Sequence, residues 1–303
     1  MSLKIVKYRS KIFVFFILCS VFIFGLTLGH YKYPPFQIIV DAKSYITNSK
    51  KDLTKFSSCN LEQKTEVING SHAFIGHAYG SPNKAKFNSY LAKNAQDFIT
   101  KNRTNLKTII FTGDLFFVPS IDKWKRLEKK MNDNLDIFIA PGNHDVLRPD
   151  SRDVFELSEF GNQEFPYLEY LDDLPIVIED SISSGWEVSD VAIDLANDND
   201  SKTVIIARHN MPTTDLLMIA NSQAGYAKLD TVEELVKNFK GDKLFFWLIG
   251  DSGAFPNLPR ISCLTFKNHT FLVNGLGDIP GDKFILYNKE EGFYTYEISL
   301  SIN

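Results

Sequence analysis

The stretch FIAPGNHDV, residues 138–146, joins a short apolar run to three consecutive polar side chains that can bind metal or move protons. Apolar runs of this length are typical of buried strands, and the Pro-Gly pair predicts a turn at the strand's end. The turn puts Asn143, His144 and Asp145 beyond the carboxyl end of a strand, where open α/β sheets build their sites. Taken alone, these residues also fit a polar turn bonded to its own backbone.

Apolar runs and helical segments alternate after residue 65, which predicts an α/β fold with strands buried on both faces. Strands are predicted at 66–75 (second half), 107–111, 135–140, 174–178, 203–207, 243–249, 270–274, 283–287 and, alternating as an edge strand would, 292–299. Helices are predicted at about 83–102, 121–133 and 229–240. Thr231 and Glu234 form a candidate capping box in the last of them.

The composition of the chain is that of a folding protein. Its 303 residues, 44% of them hydrophobic, suffice for one large domain or two small ones. The 33 basic and 37 acidic residues leave a net charge of −4, with no long basic block beyond the N-terminus, so no nucleic-acid surface is evident. The three cysteines lack a metal-binding spacing, and Cys59 and Cys263 could pair if the domain is exported.

The N-terminus predicts a membrane anchor. Residues 1–11 carry basic but no acidic side chains, and residues 12–29 are apolar. About 18 apolar residues approach the roughly 20 that a spanning helix needs, and the flanking charges predict a cytoplasmic N-terminus. A cleaved signal peptide is the alternative, but no small-x-small site follows, and Tyr31 and Tyr33 suit a membrane interface.

The chain is therefore expected to have three parts. These are a cytoplasmic tip with a transmembrane anchor at 1–29, a spacer at 30–64 and a globular domain at 65–303. The globular domain is expected outside the cytoplasmic membrane, on a single-pass membrane protein.

Five predicted strands end alike, in Asp, His or Asn, usually after a glycine that permits a tight turn. The ends are Ile75-Gly76-His77, Thr112-Gly113-Asp114, Gly142-Asn143-His144-Asp145, Arg208-His209-Asn210 and Gly250-Asp251-Ser252. Carboxylate, imidazole and amide donors together suit Mn, Fe, Zn or a similar divalent metal. A carboxylate can also bridge two metals that clamp both sides of a phosphoryl transfer, so we expect one or two divalent ions.

The ordered series Gly113-Asp114, Gly142-Asn143-His144-Asp145, His209 and Gly250-Asp251 resembles the calcineurin-like metallophosphoesterase family, over roughly residues 70–280. The resemblance implies a metallophosphoesterase-like β-sandwich flanked by helices, in four α/β/β/α layers, with two metals at the strand ends. It implies that Asp114 bridges the metals and that Asn143 and His209 bind the second. It further implies that His144 contacts the scissile phosphate and protonates the leaving group. Asp145 is expected to orient the loop or His144.

The sequence departs from the family pattern at its first and last motifs. Where the family opens with Asp-x-His, this chain has Ile75 and His77, so only the histidine can bind metal. Ile75 shares a strand face with His77 and is expected to point toward the site without binding metal. Where the family has Gly-His-x-His, Asp251 can supply an oxygen in place of the first histidine, but Gly253 cannot replace the second.

Two further residues are weaker candidates. Asp278 could return a carboxylate to the site, although a turn before Pro280 also explains it. Arg148 could hold phosphate, although a solvated surface arginine fits as well.

Two functions follow from this site. The first is a membrane-anchored phosphoesterase that hydrolyses a phosphate mono- or diester outside the cytoplasmic membrane with metal-activated water. Its substrate is expected to be a phosphorylated small molecule, lipid or glycan, since an outward-facing domain meets these compounds. The second is a non-catalytic envelope binding protein on a degenerate phosphoesterase scaffold, which the lost ligands at Ile75 and Gly253 favour.

Overall fold

The computed structural model describes residues 15–25, 54–81, 85, 90–131, 135–220, 227–252 and 261–298. The chain forms two compact units, Met1–Leu53 and Thr54–Asn303. In the first unit, helix α1 covers residues 15–25. No helix within the described ranges has the length and apolar character needed to cross a membrane. The rest of the apolar run lies outside the described residues, so the anchor stays a prediction.

The second unit contains two β-sheets and several helices. Its described strands are β1 (Ser57–Ser58), β2 (Glu62–Lys64), β3 (Ser71–Ile75), β4 (Leu106–Phe111), β5 (Asp136–Ile139), β6 (Tyr167–Leu171), β7 (Leu174–Ile178), β8 (Thr203–Arg208), β9 (Leu244–Ile249), β10 (Ile261–Phe266), β11 (His269–Asn274), β12 (Lys283–Asn288) and β13 (Gly292–Glu297). Its described α-helices are α2 (Lys93–Asn102), α3 (Ile121–Met131), α4 (Asn143–Val146), α5 (Pro149–Glu156), α6 (Asp190–Asp198), α7 (Thr214–Ile219) and α8 (Val232–Val236).

The strands form one sheet in the order β1-β10-β11-β9-β8-β7-β6 and a second in the order β2-β13-β12-β3-β4-β5. Strands β3, β4 and β5 are parallel, and so are β7, β8, β9 and β11. Parallel neighbours end at the same edge of a sheet, so the polar residues that follow β3, β4 and β5 lie together, as do those that follow β8 and β9.

Alternation along the strands sorts the apolar side chains into layers, because successive side chains point to opposite faces of a sheet. In β4, Ile109 packs with the side chains of α2 and α3, whereas Ile110 packs in a core shared by both sheets. In β8, Ile206 packs with α6, α7 and α8, whereas Ile205 joins the shared core. The order of layers is therefore helices, sheet, sheet, helices, and the predicted α/β fold is confirmed.

The predicted strands are present with small shifts at their ends, but β13, predicted as an edge strand over 292–299, does not lie at the sheet edge. Strand β13 pairs with β12 on one side and with the short strand β2 on the other. The sequence pattern misses β2 because only three residues pair. It also misses β1, which pairs with β10.

Part of the predicted spacer belongs to the folded unit, which starts at Thr54 rather than near residue 65. Strands β1 and β2 extend the two sheets, and Phe56 is buried against the helix-side core of the larger sheet. Cys59 forms a disulfide with Cys263 of β10, with Cα atoms 5.0 Å apart. The rest of the predicted spacer lies outside the described residues.

Two helices are shorter than their sequence patterns predict. Helix α2 begins at Lys93 because Ala92 is extended and donates its N–H to Ala78 O, while Asp278 Oδ1 accepts the N–H of Asn94. Helix α8 begins after Thr231 with the predicted capping box. It ends at Val236, and turn hydrogen bonds then replace the helical ones.

We expect His269 to make the fold less stable in mild acid. Its ring is buried on β11 and accepts a hydrogen bond from Trp247 Nε1 at 3.0 Å. Burial, with a small contribution from Lys267, lowers the pKa of His269 from 6.5 to about 3. His269 therefore binds a proton below pH 6.5 in the unfolded chain but only below about pH 3 in the folded chain. The free energy of unfolding accordingly falls as the pH falls through this window.

His269→Asn keeps an acceptor for Trp247 and removes the titration. Between pH 7 and pH 5 the wild type should lose about 2 kcal/mol more unfolding free energy than the variant. Urea unfolding at both pH values measures the difference. Equal pH dependence of the two proteins would contradict the assignment to His269.

Candidate metal centre

The strand ends bring three buried ligand side chains together. His77 follows β3, Asp114 follows β4 and His209 follows β8, and their ligand atoms all lie within 4.8 Å of one another. The His77 N–H donates to Gly113 O at 3.1 Å, which joins the ends of β3 and β4. The site therefore includes the ends of both sheets.

The distances in this cluster suit a divalent cation. His77 Nε2 lies 3.6 Å from both Asp114 Oδ2 and Asp251 Oδ1. His209 Nε2 lies 3.5 Å from Asp114 Oδ1, 3.9 Å from Asp251 Oδ1 and 3.2 Å from Asn143 Oδ1. Metal–ligand bonds of about 2.1 Å at octahedral to tetrahedral angles give ligand separations of roughly 3.0–3.4 Å. His77, Asp114 and His209 therefore need only small movements to coordinate one metal ion, and Asn143 and Asp251 lie beside the histidines.

The two histidines have the hydrogen bonding expected of metal ligands. His209 Nδ1 lies 2.9 Å from Thr112 O, and a proton on Nδ1 leaves the Nε2 lone pair facing the site. His77 is 2% exposed, and neither ring nitrogen has a hydrogen-bond partner among the described residues. A buried polar atom without a partner is costly, and a metal ion beside Nε2 removes that cost.

Charge complementarity dominates the electrostatics of the cluster. Burial opposes ionisation of Asp114, but His209, His144 and His77 outweigh burial and lower its pKa. Burial likewise opposes protonation of His209, but the carboxylates of Asp114 and Asp251 raise its pKa. The buried carboxylates thus favour a positive charge at this point, which a divalent cation supplies.

Asp145 connects the two central loops and does not face the metal ligands. Its carboxylate accepts backbone N–H groups from Asp114 at 2.7 Å, Leu115 at 3.1 Å and Gly142 at 3.0 Å. Burial and the charge of Asp114 raise the pKa of Asp145 to about 7, and the N–H bonds oppose that shift. The residue orients the loop, as the sequence predicted.

Asp145→Asn should destabilise the fold by about 2 kcal/mol, because an amide NH₂ would face donors that now bond to carboxylate oxygen. Asp153→Asn, at an exposed position of α5, is the control. Urea unfolding compares the two variants with the wild type. Equal midpoints for all three proteins would contradict this role of Asp145.

Two glycines permit the close packing of these loops. At Gly113, whose φ is +89°, a Cβ atom would lie 2.4 Å from His209 Nδ1. At Gly142, a Cβ atom would lie 2.3 Å from Asp114 Oδ1. Larger residues at either position would displace a ligand, which explains why each loop turns at a glycine.

His144 has one ring nitrogen held by the protein. It stands at the start of α4, half-buried, with Nδ1 3.0 Å from Phe117 O. Its backbone N–H donates to Asp114 Oδ1 at 3.0 Å. A proton on Nδ1 leaves Nε2 for exchange with a substrate. This geometry suits a general acid.

The structure adds two residues that the sequence reading missed. The hydroxyl of buried Tyr79 bonds to Asp114, and its ring centroid lies 5.1 Å from that of His144. Asn210 Nδ2 donates to Asp251 Oδ2 at 3.1 Å, so Asp251 Oδ1 is directed to the histidines. The sequence offered a signal for Asn210, because it directly follows His209. It offered none for Tyr79, because that residue follows the sharp turn at His77.

The other candidates are not in the ligand group that the described residues form. Ile75 is fully buried in the helix-side core of the smaller sheet, among apolar side chains, which corrects the expectation that it points toward the site. Asp278 is not in the ligand group of the described residues, and its Oδ1 accepts the N–H of Asn94 in the first turn of α2. Arg148 is exposed before α5. Gly253 lies outside the described residues.

Comparison with protein-family models finds no match for this chain. Comparison with curated proteins also finds no match.

Proposed function

We propose that the chain is a metal-dependent phosphoesterase that hydrolyses a phosphate mono- or diester. The observation that carries this proposal is the convergence of five ligand side chains from separate strand ends, beside a half-buried imidazole. The paired sheets between helical layers also fit the metallophosphoesterase-like sandwich that the motif series resembles. One or two ions of the Mn, Fe or Zn class suit the nitrogen and oxygen donors.

The residues of the site divide three roles in this mechanism. His77, Asp114, Asn143, His209 and Asp251 would hold the metal. When bound, the metal activates water and offsets negative charge on the phosphoryl group. His144 Nε2 donates a proton to the leaving oxygen as its bond to phosphorus breaks. Tyr79 and Asn210 fix the orientations of Asp114 and Asp251.

We further propose that the domain acts outside the cytoplasmic membrane, anchored by its N-terminus. The disulfide between Cys59 and Cys263 supports this location, because disulfides persist in oxidising compartments. Helix α1 also exposes a series of large apolar side chains, including Phe16, Phe22 and Phe24. A lipid environment would cover such a surface.

A non-catalytic binding protein is the second candidate. It is favoured by Ile75, an apolar side chain packed in the core at the position where the family pattern has a metal-binding Asp. The chain would then keep the scaffold and lose the reaction.

Metal analysis and hydrolysis of model esters separate these functions. The purified full chain should bind Mn or Zn. With Mn bound, it should release p-nitrophenol from p-nitrophenyl phosphate or from the bis ester. The metals should also raise the unfolding temperature. A chain that binds neither metal and hydrolyses neither ester would favour the binding protein.

A further inference from the structure

The rim of the site beside His144 is apolar and partly open to solvent. Phe117 is half-buried, with its ring centroid 4.8 Å from that of His144. The next residue, Val118, is 56% exposed, and Leu147 at the end of α4 is 54% exposed. Exposed apolar side chains that border a reaction site mark a surface for apolar ligand groups.

Backbone hydrogen bonds connect the segments that carry these side chains to His144 and to its neighbour Asn143. Phe117 O bonds to His144 Nδ1 at 3.0 Å, so Val118 is one residue from that contact. Leu147 donates its N–H to Asn143 O at 3.1 Å and stands three residues after His144. Residues three and four apart share a helix face, so Leu147 lies beside Asn143 and His144.

The surroundings of Asp251 are different in character. Ser181 and Asn210 are fully buried there and bond to each other and onward to Asp251. Buried polar groups thus hold Asp251 in place, whereas the apolar ring of Phe117 packs against the imidazole of His144. Among the described residues, exposed apolar side chains accompany His144 and not Asp251.

We infer that the substrate is a phosphate ester whose leaving alcohol is apolar, such as an alkyl or lipid-like alcohol, seated against Phe117, Val118 and Leu147. This inference rests on the proposed function. A water oxygen bonds to phosphorus, the bond between phosphorus and the alcohol oxygen breaks, and the electron pair leaves with that oxygen. His144 Nε2–H protonates that leaving oxygen, and the water's proton passes to solvent. A monoester therefore gives phosphate and the free alcohol, and a diester gives a phosphate monoester and the free alcohol.

A series of esters tests this assignment. The full chain with Mn is given methyl, butyl and octyl phosphate, and the corresponding methyl alkyl diesters, with product release as the readout. We expect kcat/KM for octyl to exceed that for methyl by at least about tenfold. Val118→Asn and Leu147→Gln together should reduce the octyl-to-methyl ratio toward one.

Two exposed apolar residues elsewhere provide matched controls. Val191→Asn and Leu157→Gln change side chains of similar exposure, 55% and 69%, and should preserve the ratio. Equal rates for methyl and octyl esters would overturn the inference and leave the proposed function standing. An octyl preference that survives the Val118 and Leu147 changes would also overturn it. No hydrolysis of any ester, p-nitrophenyl phosphate included, would refute both.

Discussion

Asp114→Asn is expected to reduce phosphate release about a thousandfold or more and to remove bound metal. Asp114 directs one carboxylate oxygen to His77 and the other to His209, at 3.6 and 3.5 Å. An amide has only one oxygen, and its NH₂ group would face an imidazole that also binds metal. The variant should still fold, because the amide oxygen can accept the His144 N–H that Asp114 now accepts.

The control for this variant is Asp122→Asn, an exposed position in the first turn of α3. Metal content after dialysis and hydrolysis of p-nitrophenyl esters are measured for both variants and the wild type, with circular dichroism to establish folding. A folded Asp114→Asn protein with wild-type metal content and rate would refute the metal centre.

The clustering of these candidate ligands could be predicted from the sequence, because two local signals coincide at each of them. Each candidate ligand follows a strand, and most of them directly follow a glycine. A polar side chain able to bind metal and a residue that permits a tight turn therefore occur together in the sequence. Parallel pairing then brings Asp114 and Asn143 to one edge of the smaller sheet. His209 and Asp251 follow β8 and β9 of the larger sheet in the same way.

The remaining features depend on contacts between distant parts of the chain. The start of α2 at Lys93 depends on Asp278, 184 residues from Asn94. The position of Ile75 was misjudged because alternation was extended across the turn at His77, whose φ is +48°. Tyr79 reaches Asp114 only because the chain turns there. The periodicity of apolar residues in the sequence carries no information about contacts between residues so far apart or about such turns.

Gly250→Ala should lower the unfolding free energy by at least about 3 kcal/mol, because the strand ends approach too closely for a side chain. A Cβ atom at Gly250 would lie 1.7 Å from Thr112 O and 2.7 Å from the carbonyl carbon of that residue. Both are backbone atoms, which cannot rotate away as the tip of a flexible side chain can. The same carbonyl bonds to His209 Nδ1, so the displacement also disturbs a candidate metal ligand.

Gly241→Ala is the matched control, because a Cβ atom there meets no heavy atom within 4 Å. For a domain of this size, about 3 kcal/mol corresponds to a drop of roughly 10 °C in the unfolding midpoint. Thermal unfolding of the metal-free proteins measures the fold alone, and metal titration then measures the effect on His209. If Gly250→Ala unfolds at the same temperature as Gly241→Ala, the strand ends are further apart than described. Asp114, His209 and Asp251 would then be too widely separated to share one metal, because the contact between Thr112 and Gly250 joins the two sheets at the site.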